Sequence, residues 1–242
     1  MRAIGLSKSF DGVLAIDQVD LALPLGKTIG LLGPNGSGKT TLVNCLSGVL
    51  SPTAGDIYID AERITRHSRA ARAQLGLART YQNLRLFPAL SVAENIEAGL
   101  TGVRPKPSAR LWQQRLASAI DDYGLAEVIH RPVGTLPYGL QKRTEIARAT
   151  IGMPRILLLD EPAAGLGTGD CENLAELLKR AQKSIGFALL LIDHNVAFVI
   201  KLADSLMVLA NGRAIRHGAP ADVLGDHEVA RIYLGDMMHA SR

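Results

Sequence analysis

Cysteine and aromatic residues are scarce in this chain, and long apolar runs are missing. The two cysteines, Cys45 and Cys171, form no metal-ligand or redox spacing and read as reduced, non-catalytic residues. Aromatic side chains make up 4% of the sequence, too few to suggest base stacking, and no nucleic-acid partner is expected. No apolar run approaches the roughly 18 residues that a membrane span needs; Ile156-Leu157-Leu158-Leu159 and Ala188-Leu189-Leu190-Leu191-Ile192 are among the longest. The first eight residues, Met1 to Lys8, lack the apolar core of a signal peptide, so a cytosolic protein is expected. The net charge is only +4, from 27 basic and 23 acidic residues. Its one local concentration is Arg66, Arg69, Arg72 and Arg79, which lie around one expected helix and read as a solvated face near a membrane.

What is present is a core-forming chain. With 242 residues, 47% of them hydrophobic, it can build one sizeable core or two small ones. The first thirty residues are strand-rich, with Pro24-Leu25-Gly26-Lys27 as a turn. Gly55-Asp56-Ile57-Tyr58-Ile59-Asp60 alternates like another strand, residues 68–75 look helical, and residues 77–82 return to strand. From Phe87 to about Met153 the pattern is helical. Ser91 with Glu94 three residues on forms a capping box, and helices are expected over 112–125 and 139–151. Ahead of the first of these, residues 101–108 carry Pro105 and Pro107 and suit a surface loop. Alternation then resumes, with strands at 155–160 and 187–193 and helices at 170–183 and 195–202. A hairpin over 205–217 turns at Asn211-Gly212, and short helices begin near Pro220 and His227.

Strands alternating with helices imply an α/β fold with a mostly parallel sheet covered on both faces. The helical block implies an insertion. The expected organisation is a core of residues 1–86 and 153–242, carrying an antiparallel β subdomain near its N-terminus, with a helical subdomain over 87–152.

Gly33-Pro34-Asn35-Gly36-Ser37-Gly38-Lys39-Thr40 is a complete phosphate-binding loop, G-x-x-x-x-G-K-[ST]. An apolar run, Ile29-Gly30-Leu31-Leu32, precedes it, and a helix-like segment from Thr41 follows. The glycines let backbone N–H groups approach phosphate oxygens, and the helix N-terminus adds about half a positive charge. Lys39 can reach terminal phosphates and the Thr40 hydroxyl can ligate Mg²⁺. Ile156 to Glu161 is an apolar strand ending in two acids. Running beside the phosphate loop, it would place Asp160 near that metal and Glu161 where a carboxylate could activate a water.

At these residues the chain resembles the ATP-binding cassette (ABC) ATPases, over nearly its whole length. Gln82 matches the family's Q-loop, residues 136–140 its signature loop, Ala164-Gly165-Leu166-Gly167 its D-loop and His194 its switch histidine. Phe10 stands where the family places a ring against adenine. The resemblance implies a RecA-like phosphate-loop fold binding ATP and Mg²⁺. It implies that residues 33–41 with Phe10 bind the nucleotide, that Thr40, Gln82 and Asp160 serve the metal, and that Glu161, His194 and Gln82 serve hydrolysis. It also implies a head-to-tail pair with a second ABC ATPase subunit, whose ATP would meet Leu136, Pro137, Tyr138, Gly139 and Leu140.

The signature loop departs from the family's Leu-Ser-Gly-Gly-Gln. Pro137 replaces the serine, Tyr138 the first glycine and Leu140 the glutamine, while Gly167 stands where the D-loop often has an acid or amide. These changes affect what the chain offers across a dimer, homo- or heteromeric. Gln82 to Pro88, Val92 to Asn95, Tyr138-Gly139 with Glu145 to Arg148, residues 160–166 and Ile232-Tyr233-Leu234-Gly235 are similar to the ATP-binding subunits of branched-chain amino-acid importers. Importers of urea or amides and the lipopolysaccharide-export ATPase share much of this, and a non-hydrolysing regulatory cassette is the reading from another class. The resemblance further implies integral membrane permease partners, contacted through residues 82–95, and a peripheral place on the cytoplasmic face of the inner membrane.

Overall fold

Two sheets share one helix between them in the computed structural model, which describes residues 1–101 and 108–232. The smaller sheet is antiparallel. It contains β1 (Arg2–Phe10) and β2 (Val13–Ala22), and the chain then enters the larger sheet at β3 (Thr28–Leu32). Helix α1 (Lys39–Ser47) follows, after which β4 (Ala54–Ile59) and β5 (Glu62–Arg63) complete the smaller sheet in the order β2-β1-β4-β5. Helix α2 (Arg69–Gln74) and β6 (Leu77–Arg79) lead to the helical stretch of α3 (Val92–Ala98), α4 (Ala109–Tyr123) and α5 (Tyr138–Thr150). The chain returns through β7 (Ile156–Asp160), α6 (Thr168–Ile185), β8 (Ala188–Ile192), α7 (Val196–Leu202), β9 (Ser205–Ala210), β10 (Arg213–Gly218) and α8 (Pro220–Leu224). A last helix starts at His227. The larger sheet runs β10-β9-β3-β8-β7-β6, parallel except for the β9–β10 hairpin.

The continuous apolar runs have a simple cause: this sheet is buried on both faces. Successive side chains point to opposite sides, so Leu157, Leu159, Leu189, Leu191, Leu206 and Val208 enter one core. Ile156, Leu158, Leu190, Ile192, Met207 and Leu209 enter the other. The first core joins the sheet to α3, α4, α5 and α6 through Ile96, Ala119, Tyr123, Ile146 and Leu178. The second joins it to the small sheet through Leu6, Ile16, Val19 and Ile57, with Leu42, Val43 and Leu46 of α1 packed between.

Several local readings hold. Ser91 accepts from the Glu94 N–H at 3.2 Å while the Glu94 carboxylate accepts from the Ser91 N–H at 2.7 Å, a complete capping box. Asn211 and Gly212 turn the β9–β10 hairpin with φ of 47° and 77°, as a type I′ turn requires. That turn also pins the phosphate loop, because the Gly212 N–H donates to the Ser37 carbonyl at 3.1 Å. Most of the loop expected at 101–108, and Tyr233, Leu234 and Gly235, lie outside the described residues.

Three expectations are corrected. The strand expected over 77–82 ends at Arg79, leaving Thr80 to Gln82 as the connection out of the sheet. The acidic strand β7 does not neighbour β3; β8 lies between them. The four arginines do not make a solvated face either. Arg72 is buried and the Arg79 side chain is only 6% exposed, and Arg72 closes the C-terminal end of α1. Its Nη1 donates to the Cys45 and Leu46 carbonyls at 2.6 Å, its Nη2 to Thr65 at 2.9 Å and its Nε to His67 at 3.1 Å. A helix end leaves carbonyls unpaired and carries partial negative charge, so a buried cation is favourable there.

Candidate active site

The phosphate loop leaves β3 and curls into the first turn of α1, as its glycines dictate. Gly33 and Gly38 hold φ of 146° and 102°, which side chains rarely adopt. A Cβ at Gly33 would lie 2.2 Å from the Leu209 carbonyl, and one at Gly38 would lie 2.4 Å from that of Ala15. The loop therefore folds tightly against β9 on one side and β2 on the other. Lys39 is buried and its Nζ donates to the carbonyls of Gly33 and Pro34, each at 2.7 Å. Ser37 Oγ is buried with no hydrogen-bond partner. A buried hydroxyl without a partner in this loop fits an anionic oxygen as its acceptor.

Across the loop lies a cleft of about 180 Å³, lined by residues 35–41, Ala15, Glu161 and His194. Glu161 follows β7 with a left-handed φ of 51°, a strained setting for a residue with a side chain. Its N–H donates to the Ile192 carbonyl at 2.8 Å, which ties the ends of β7 and β8 together. The side chain then meets two expected partners. Gln82 Nε2 donates to Glu161 Oε2 at 2.9 Å, and His194 Nε2 lies 3.3 Å from Glu161 Oε1. Residues 82, 161 and 194, far apart in sequence, thus converge on one carboxylate.

Asp160 is buried one residue earlier. Burial pushes its pKa above the ordinary carboxylate value, against the opposing pull of Arg79. Arg79 Nη2 donates to Asp160 Oδ2 at 3.1 Å. Asp193, before the histidine, is also buried and its pKa is raised by desolvation. Asp193 Oδ2 accepts from the Ala163 N–H at 2.8 Å and Oδ1 from the Asn195 N–H at 2.9 Å, which fixes the segment carrying His194 to the one following Glu161.

The remaining expected residues lie elsewhere. Phe10 ends β1 and is 42% exposed, with Lys8 Nζ 5.0 Å from its ring centroid. None of residues 136–140 lines the phosphate-loop cleft. Leu136 is buried, Pro137 caps α5 without a side-chain hydrogen bond, and Tyr138 packs near Gly165 of the D-loop.

Sequence reasoning missed Arg79, Asp193 and the pair Lys142–Glu145. The last two side chains are almost wholly buried and lie 3.3 Å apart. Glu145 also accepts from the Arg85 N–H at 3.3 Å, linking α5 to the segment after Gln82. Their only sequence signal was an i, i+3 spacing of opposite charges, which normally marks a surface pair. A cavity of about 630 Å³ opens on that segment, lined among others by Tyr81, Arg85, Phe87, Glu145 and Arg148. Among the described residues, no helix is long and apolar enough to cross a membrane.

A family model described as "ABC transporter" matches residues 16–164. The chain is 35% identical to the high-affinity branched-chain amino acid transport ATP-binding protein BraF of Pseudomonas aeruginosa, covering 98% of each protein. It is 36% identical to LivG of Escherichia coli, a protein of the same description, covering 96% of each. Among solved structures it resembles MJ1267, an ATP-binding cassette of an ABC transporter in its ADP conformation. There the TM-score is 0.85 at 29% identity, over 97% of this chain and 98% of that one.

Proposed function

The chain belongs to the ABC transporter family, and we propose that it energises import of branched-chain amino acids or a related small polar solute by hydrolysing ATP. The observation that carries hydrolysis is the convergence of Gln82 and His194 on the Glu161 carboxylate, facing the phosphate loop. The kind of solute rests on the likeness to BraF and LivG.

Residues 33–41 bind the phosphate chain through the backbone N–H groups of every residue but Pro34, the Lys39 ammonium and the Ser37 hydroxyl, and the Phe10 ring supports the adenine. Lys39 exchanges carbonyl partners for phosphate oxygens. Thr40 and Asp160, with Gln82, would hold Mg²⁺. One hydroxyl, one carboxylate and one amide suit a cation that keeps several waters and leans on phosphate oxygens. Bound there, Mg²⁺ would supply positive charge to offset that of the phosphates. Glu161 takes a proton from the attacking water, and its strained backbone fixes where its carboxylate points. Gln82 and His194 hold that carboxylate, and His194 also faces the terminal phosphate.

The second half of each site comes from another ABC subunit. Residues 136–140 of this chain cap that subunit's ATP in return. Residues 87–152 act as the helical signature subdomain, and the cavity bearing Arg85 and Phe87 receives a permease segment. The protein then sits peripherally on the cytoplasmic face of the membrane. Reconstitution with candidate permeases and a solute-binding protein in liposomes tests this reading. Leucine, isoleucine or valine should stimulate ATP hydrolysis severalfold and accumulate inside. Stimulation by an unrelated solute, with none by these three, would overturn the assignment of cargo.

A further inference from the structure

We infer that Arg79 is the positioning residue for Asp160, holding the carboxylate in the orientation that Mg²⁺ needs. The inference rests on the function proposed above and adds a residue to it. Arg79 ends β6, the edge strand beside β7, and its guanidinium joins three parts of the site. Nη2 donates to Asp160 Oδ2 at 3.1 Å. Nη1 donates to Asn44 Oδ1 at 2.6 Å and Ser47 Oγ at 2.9 Å, both on α1, the helix that starts at Lys39 and Thr40. The guanidinium carbon lies 4.8 Å from the Tyr81 ring centroid, next to Gln82.

Both charged side chains are under 10% exposed. A planar fork gripped by α1 on one arm cannot swing, so the carboxylate on its other arm cannot either. The grip uses Oδ2 of Asp160 alone. Arg79 also offsets a cost of the site itself, since Asp160 and Glu161 place two acids side by side in a partly buried setting. Its Nε is buried without a hydrogen-bond partner, a penalty the fold tolerates to keep the fork in this place. A merely structural ion pair could sit anywhere along β6 and β7. This one lies at the carboxylate that serves the metal.

The test uses the full chain, a fluorescent ATP analogue and no turnover. Binding is measured in EDTA and then against free Mg²⁺ for wild type, Arg79→Met and Arg79→Lys. Thermal unfolding reports that each variant is folded. Partners that orient a metal ligand typically carry 10–100-fold in metal affinity. The Mg²⁺ concentration that half-saturates the metal-dependent change should therefore rise at least about tenfold in Arg79→Met and less in Arg79→Lys. Binding in EDTA should stay within about twofold, because the phosphate loop is untouched. A folded Arg79→Met with an unchanged Mg²⁺ requirement overturns the inference. Should Arg79→Met fail to fold, Asn44→Ala with Ser47→Ala loosens the same fork from α1. A rise of about threefold supports the inference, and no rise overturns it. A wild type that binds the analogue but ignores Mg²⁺ would instead sink the underlying metal assignment, and the inference with it.

Discussion

Replacing Glu161 by Gln separates binding from chemistry, because the two depend on different parts of the site. Gln has the shape of Glu and the same difficulty with a φ of 51°, so the backbone should not relax. The side chain is largely sheltered but not sealed, at 19% exposure, and stability should change by about 1 kcal/mol or less. The loss falls on the reaction. The Glu161 carboxylate accepts from Gln82 at 2.9 Å and faces His194 at 3.3 Å, and an amide offers one oxygen where the acid offers two. It also has no lone pair basic enough to take a proton from water. General base catalysis contributes about 10²–10⁴-fold. A fall of about 10³ in kcat, roughly 4 kcal/mol, is expected. Affinity for ATP should hold within about threefold, since Lys39 and the loop amides are unchanged. Phosphate release at saturating Mg²⁺ and ATP measures the first, and equilibrium binding of a fluorescent ATP analogue the second. A variant that turns over within threefold of wild type would refute the role given to Glu161. One that loses binding and turnover together would show that Glu161 shapes the loop instead.

Three further outcomes follow from the buried polar groups. Arg72→Met strips charged donors from four carbonyls, two of them at the end of α1, and should cost about 3 kcal/mol, or roughly 6–12 °C in melting temperature; a loss below 1 kcal/mol would show that the carbonyls find water instead. Burial holds the Asp193 pKa above the carboxylate value in the unfolded chain. The folded state then keeps that proton longer, so wild type should lose stability relative to Asp193→Asn as pH rises from about 4 through the raised value. Urea unfolding of both proteins from pH 4 to 8 reads the difference, and a constant gap would show that the shift is absent. Burial also pushes the Cys45 thiol up to about 11 and raises Cys171. Neither should react with a thiol reagent at pH 8 until urea unfolds the chain, and rapid labelling of Cys45 in the native state would contradict its burial.

The parts of the site legible in the sequence are those whose chemistry needs a fixed local string. Residues 33–40 had to be glycine-rich and end in Lys-Thr wherever the strand before them was placed. β7 and β8 were readable because strands buried on both faces need uninterrupted apolar residues. The insertion of β8 between β3 and β7 was not readable, because strand order is settled by how helices pack across the sheet. The arginines show the same limit. Four basic residues around one short segment look like a solvated face until the fold brings α1 over Arg72 and Asp160 beside Arg79. Composition records a charge, and only the long-range packing shows whether a partner removes it from water.

That distinction bears on the altered signature loop. Losing the serine for Pro137 removes one hydroxyl and one N–H, which suggests a crippled contribution to the partner's site. Yet Pro137 lies just ahead of the first turn of α5 and makes no side-chain cap. The N–H groups of Leu140 and Gln141 donate to the Pro137 carbonyl at 3.0 and 3.2 Å, which leaves those of Tyr138 and Gly139, with the positive end of the helix, as donors for an anion. Gly139 keeps a backbone free of side-chain bulk, and the Tyr138 ring packs near Gly165 rather than in the chain's own cleft. What the substitution takes is two donors, the hydroxyl and the N–H of one residue. In the dimer proposed above, a second subunit's phosphate would still find the positive end of α5 at this loop, whether that subunit is a copy of this chain or a relative.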